Sequence, residues 1–142
     1  MVAEVMSFGT LHTLFRGLSS NKKKIIAEKY GISDTVLLSW IGSINVIRNI
    51  CAHHGRMFNR TLGFKPMIPK KRKHPQWHTP VSIDNSKIFS VLTILQYIIK
   101  ITAPRSEWAL RLKRLLTSYG ELPPRIMGFP ESWEDHEMWK EI

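Results

Sequence analysis

Cysteine is nearly absent: Cys51 is the only one in 142 residues, so no disulfide can form within the chain. That usage suits a reducing compartment, and a cytoplasmic location is expected. Acidic residues are also scarce, 11 Asp plus Glu against 21 Lys plus Arg. A long hydrophobic run is missing too. The longest apolar stretch, Ile88 to Ile99, lies between Lys87 and Lys100 and is shorter than the roughly 20 residues that span a bilayer. No basic region leads into an apolar run at the start, so no signal peptide is read and no membrane partner is expected. A P-loop, a dinucleotide glycine motif, a serine-hydrolase elbow, an HExxH pair and a carboxylate cluster are all lacking. No cofactor is therefore expected.

What is present is positive charge. The formal net charge is +10, which favours phosphate-rich partners, nucleic acid before an anionic membrane surface. Hydrophobic content of 43% is that of a globular protein, and the length suffices for one domain with a core. A single helical domain over 1–142 is expected, with a basic, proline-rich loop at 61–83 and a tryptophan-containing tail at 121–142.

Periodicity predicts an all-α bundle of about five helices and no strand pair. The first helix is expected from about Val2 to Leu18, with Phe8, Leu11, Phe15 and Leu18 on its buried face and no N-cap. Lys22–Tyr30 follows, stopped by Gly31. Ser33 or Asp34 caps a third, longest helix that carries Trp40, Ile44, Ile47 and Ile50. A fourth is expected from Asp84 or Ser86 to about Thr102. In a fifth, capped by Ser106, Trp108, Leu112, Leu115 and Tyr119 should form the buried stripe. Trp133 and Trp139 suggest that the tail packs back on the helices.

Near the end of the third helix stand Arg48, Asn49, His53, His54 and Arg56. If the helix persists, a turn of about 100° per residue places Asn45, Asn49, His53, Arg56 and Arg60 in one polar sector. His54 then falls on the opposite, apolar side with Phe58 and reads as a buried histidine. Arg48 and His53 would be about 140° apart on that wheel, too far to grip one phosphate from a straight helix. Either the helix unwinds near His53, or a second copy completes the site.

An arginine and a histidine without nearby carboxylates suit metal-free RNA cleavage. The RNA 2′-hydroxyl is the nucleophile, a histidine moves the proton, and arginine offers a fork of donors to the phosphoryl oxygens. Lys70, Lys71, Arg72 and Lys73, in the proline-rich loop, read as a solvated run that faces backbone phosphates, with a nuclear signal as the lesser reading. The rival is zinc, on the spacing of His74 and His78 with Cys51, His53 and His54. With one cysteine and no acidic cluster it is the weaker reading, and no metal is expected.

The motif Arg48-Asn49-x-x-Ala52-His53-His54-x-Arg56 resembles the signature of Abi-like proteins, the AbiD/AbiF group of bacterial phage-resistance proteins. Ser7-Phe8-Gly9-Thr10-Leu11, Ser39-Trp40-Ile41 and Arg56-Met57-Phe58-Asn59-Arg60 look like its flanking pattern. Met127-Gly128-Phe129-Pro130-x-x-Trp133 is similar to its C-terminal signature, so the resemblance covers nearly the whole chain. It implies a HEPN-like helical fold, an often dimeric, metal-independent endoribonuclease, and RNA as substrate. It maps the arginine to Arg48, the polar residue to Asn49 and the histidine to His53, with His54 also within the spacing. Arg56, Arg60 and Lys70–Lys73 would hold RNA. Members are generally longer, and this chain resembles their C-terminal half. An antitoxin or RNA regulator that silences the enzyme is a further expectation. The alternative is a non-catalytic RNA-binding module of the same defence system.

Overall fold

The computed structural model describes residues 6–120 and 123–140, and among these it is all-α with five α-helices and no strand. We number them α1 (Phe8–Gly17), α2 (Ser20–Glu28), α3 (Asp34–Ala52), α4 (Ile88–Thr102) and α5 (Trp108–Ser118). The chain forms two compact units. The first runs up to Met57 and adds Phe64–Met67; the second comprises Phe58–Gly63 and Ile68 onward.

In the first unit, each helix start follows from a short polar side chain. Ser7 caps α1, its hydroxyl accepting the Thr10 N–H at 3.1 Å. This corrects the expectation of an uncapped helix, whose first residues also lie outside the described ones. Ser33 caps α3 through the Val36 N–H. Phe15, Ala27, Ile32, Val36, Leu37 and Trp40 are buried. Leu11 and Leu14, by contrast, are exposed, so α1 buries less of its apolar face than its periodicity predicts. Residues 64–67 return to α3: the Trp40 indole donates to the Met67 carbonyl at 2.8 Å, and the Met67 N–H donates to Ser39 Oγ at 2.9 Å. Gly42 makes room for Phe64 and His12, since a Cβ there would meet the Phe64 ring at 3.3 Å.

By length and hydropathy α3 could cross a membrane, which the reading of apolar runs did not anticipate. It also buries Trp40 completely and packs against α1 and α2, as a core helix does.

The second unit is built on α4, where Phe89, Val91 and Ile94 have no exposure. The helix begins at Ile88 rather than at Asp84 or Ser86; Asp84 instead closes a turn onto the Ser86 N–H at 2.8 Å. The proline-rich loop is not merely solvated. Pro69 and Trp77 are fully buried in it, and Trp77 packs on Tyr97 at 5.4 Å between ring centroids. The tail packs back as expected. Phe129 lies 4.6 Å from Phe89, and the Trp139 indole donates to Thr93 Oγ1 at 3.1 Å. In α5 the expected stripe is only partly covered: Leu115 and Tyr119 are exposed, and Ala109 is its buried residue. Ser106 sits before α5 and accepts the Trp108 N–H at 3.3 Å.

Candidate functional site

The cluster sits where α3 stops. The last helical residue is Ala52, and His53 leaves the helix with φ −98° and ψ 26°. His54 then adopts φ 56°, in the left-handed region. The His54 N–H donates to the Cys51 carbonyl at 3.1 Å and the Gly55 N–H to the Ile50 carbonyl at 2.8 Å. These two bonds are a Schellman cap, with a histidine where glycine is usual. Gly55 comes next because the chain folds tightly over Ile50. A Cβ on Gly55 would stand 2.6 Å from Ile50 Cγ2.

This termination settles several expectations. His54 is exposed, not buried, because the helix ends before it could turn inward. Phe58 is exposed as well, and Arg56 and Arg60 do not lie on the helical wheel at all. The His53 N–H still donates to the Asn49 carbonyl at 3.1 Å, so His53 closes the last helical turn and the chain departs from the helix after it.

Arg48, Asn49, His53, His54 and Arg56 are all exposed in the first unit. Arg48 Nη1 donates to Asn49 Oδ1 at 3.3 Å, so the amide fixes one side of the guanidinium. Neither histidine side chain is hydrogen-bonded to a described residue, and both rings are open to solvent. Asn45, expected in the same polar sector, turns inward. Its Oδ1 is buried without a hydrogen bond, and a Cβ on Gly9 would meet it at 3.6 Å.

The remaining candidates belong to the second unit. Arg60, Lys70, Lys71, Arg72 and Lys73 are exposed. The Lys73 and His74 N–H groups both donate to the Lys70 carbonyl at 3.0 Å, a tight turn that spreads the cations outward. Buried Pro69 and Trp77 anchor the turn on either side. His78 spends a ring nitrogen on the Pro69 carbonyl at 2.7 Å. No group of three or more His, Cys, Asp or Glu side chains placed to hold a metal occurs among the described residues.

Sequence reasoning missed Gly55. The signal was available, a glycine three residues beyond the last helical residue, but it was hidden by the assumption that the helix continued.

In comparison with known families, residues 1–59 match the family described as Abi-like protein. The match takes in the whole of 48–56. It does not extend to the tail motif at 127–133. No curated protein and no solved structure matches the chain.

Proposed function

We propose that this chain, an Abi-like protein by its residues 1–59, is a metal-independent endoribonuclease of phage abortive infection. The observation that carries this reading is the exposed Arg48–Asn49 pair beside a helix that ends at His53. The sequence supports it further, because no Asp or Glu occurs between Asp34 and Asp84. Charge at such a site is set by cations and imidazoles alone.

In the proposed reaction His53 removes the proton from a ribose 2′-hydroxyl. The 2′-oxygen attacks the adjacent phosphorus, and the bond from phosphorus to the 5′-oxygen breaks. Arg48 binds the non-bridging oxygens and stabilises the charge they gain. The leaving 5′-oxygen takes up a proton, and the products are a 2′,3′-cyclic phosphate and a 5′-hydroxyl. Asn49 holds the guanidinium. DNA is not a substrate, because it lacks the 2′-hydroxyl. Arg56, Arg60 and Lys70–Lys73 bind backbone phosphates. A HEPN-like homodimer, a cytoplasmic location and control by an antitoxin or RNA regulator belong to the same proposal.

The test is incubation of the purified chain with mixed RNA in excess chelator, followed by end-group analysis. Cyclic phosphate ends are expected. Arg48→Ala and His53→Ala should each lower cleavage by about 100-fold or more, the usual contribution of a positioned acid or base, with helicity unchanged. Full activity in either variant refutes the assignment. Loss in His54→Ala but not in His53→Ala moves the proton transfer to His54. Intact RNA with steeply salt-dependent binding would identify a non-catalytic RNA-binding module instead.

A further inference from the structure

The proposed reaction leaves one proton without a source. The leaving 5′-oxygen must be protonated as its bond to phosphorus breaks, and a positioned acid speeds that step. Within 48–56 only His53, His54 and Cys51 are side chains of a type that exchanges protons near neutral pH. Arg48 and Arg56 keep theirs, and no carboxyl group occurs between Asp34 and Asp84. His53 is engaged by the 2′-hydroxyl. Cys51 precedes it by two residues, a turn of about 200° on α3, so the thiol and the His53 ring lie on opposite faces. His54 is the remaining candidate.

The backbone between the two histidines separates their side chains. His53 closes the last turn of α3 through the Asn49 carbonyl and keeps its place on the helix face that carries Asn49. His54 enters the left-handed region at φ 56°. On a continued helix its side chain would fall on the apolar side; in the cap it stands in solvent, as His53 does. The change of sign in φ takes the two side chains off a common helical stripe. Their anchor points stay close, because the Cα atoms of neighbours across a trans peptide are about 3.8 Å apart. Two imidazoles that diverge from adjacent anchors can flank one phosphodiester. An in-line displacement calls for that arrangement, with the base on the 2′-oxygen side of phosphorus and the acid on the 5′-oxygen side.

The cap holds His54 in this position. Its N–H donates to the Cys51 carbonyl at 3.1 Å, and the next N–H, of Gly55, donates to the Ile50 carbonyl at 2.8 Å. Gly55 is pressed so closely on this turn that a Cβ would stand 2.9 Å from the Ile50 carbonyl oxygen. The equivalent position after α2 is filled by Gly31, at φ 62°. A side chain is disfavoured in this region, and the His54 ring makes no hydrogen bond with a described residue that would offset the strain. Strain at an exposed residue beside a proton-transfer group points to a role in the same chemistry. We infer that His54, as its imidazolium, gives the leaving 5′-oxygen its proton. The step balances. The 2′-hydroxyl proton passes to His53, the bond from phosphorus to the 2′-oxygen forms, the bond to the 5′-oxygen breaks, and that oxygen takes the proton of His54. Both rings are open to solvent, which returns each to its starting form. The inference rests on the nuclease reading and supplies the acid that His53 requires as its counterpart.

The experiment uses the full chain and two short RNAs of one sequence, chosen around a linkage that the wild-type chain cuts in mixed RNA. One keeps the 5′-oxygen at that linkage and the other carries sulfur in its place. A thiolate leaves without a proton, so the sulfur RNA needs the base and not the acid. The variant is His54→Gly, which suits the left-handed cap and so keeps the fold. It should cut the oxygen RNA about 100-fold or more slowly than wild type and the sulfur RNA at the wild-type rate. His53→Ala should be slow on both. Equal loss on both RNAs in His54→Gly, or no loss on either, overturns the inference and leaves the nuclease reading in place. A loss in Cys51→Ser that sulfur restores also overturns it, because the acid would then be the thiol. A wild-type chain that leaves mixed RNA whole refutes the nuclease reading, and the role of His54 with it.

Discussion

The two Schellman caps of the first unit make an internal experiment. In α2 the left-handed position is Gly31, at φ 62°, with the Gly31 N–H bonded to the Glu28 carbonyl and the Ile32 N–H to the Ala27 carbonyl. In α3 the same position is His54, at φ 56°. A residue with a Cβ pays about 1–2 kcal/mol in this region relative to glycine. Glycine gives back about 0.4–1 kcal/mol, because it enlarges the freedom of the unfolded chain. His54→Gly should therefore stabilise the chain by a net amount of about 0.5–1 kcal/mol, and Gly31→His should destabilise it by a similar amount. Both positions are exposed, so packing does not obscure the comparison. Urea denaturation followed by far-ultraviolet circular dichroism reads both values. Changes of the same sign, or a loss of stability in His54→Gly, would refute the reasoning. A gain with reduced RNA cleavage would show that the imidazole at 54 is kept for its chemistry at the expense of stability.

Other outcomes follow from packing and charge. Gly55→Ala should lose stability, about 1–3 kcal/mol, because its new methyl group would collide with Ile50; a neutral result in the same denaturation assay would contradict the tight cap. Trp77→Ala should cost about 3–5 kcal/mol, the usual loss for a fully buried aromatic ring, and a surface-like change below 0.5 kcal/mol would show the loop to be unpacked. His136 is fully buried, and burial lowers its pKa, with Glu137 acting weakly in the opposite direction. The unfolded chain therefore binds more protons at this residue, and its contribution to stability falls as pH drops below the ordinary histidine value of about 6.5. Melting temperatures measured from pH 7.5 to 5 should show this loss, and His136→Gln should flatten it. An unchanged slope would assign the effect to other groups.

The fold class was legible because periodicity and caps agree. Trp40, Phe89, Val91 and Ile94 are buried where the helical pattern puts them, and Gly31 stops α2 as its backbone freedom allows. What the pattern concealed is local. The wheel carried α3 past His53, and every angle beyond that point was fictitious. No polar run or glycine pair announced the stop, since a histidine took the left-handed position and the only glycine came one residue later. Trp77 was hidden for another reason. Prolines signal irregular backbone, and irregular backbone is easily equated with solvent, yet the loop buries its indole fully. Leu115 and Tyr119 err in the opposite direction: periodicity marks a face that can be buried, and tertiary packing decides whether it is.

The two motifs that suggested the family carry different weights. At the tail, every prominent residue has a packing role. Gly128 stands at φ 87°, and a Cβ there would meet Lys87 Cβ at 2.4 Å. Phe129 is buried on Phe89, and Trp133 meets Phe129 edge-on at 5.3 Å. These positions close the second unit and are silent about chemistry. At 48–56 the accounting is reversed. Gly55 is required by the cap, but Arg48, Asn49, His53 and Arg56 are exposed, and His54 holds a conformation that glycine would adopt at less cost. A fold needs none of those five side chains. Their presence in the segment that matches the Abi-like family is therefore the part of the resemblance that bears on function.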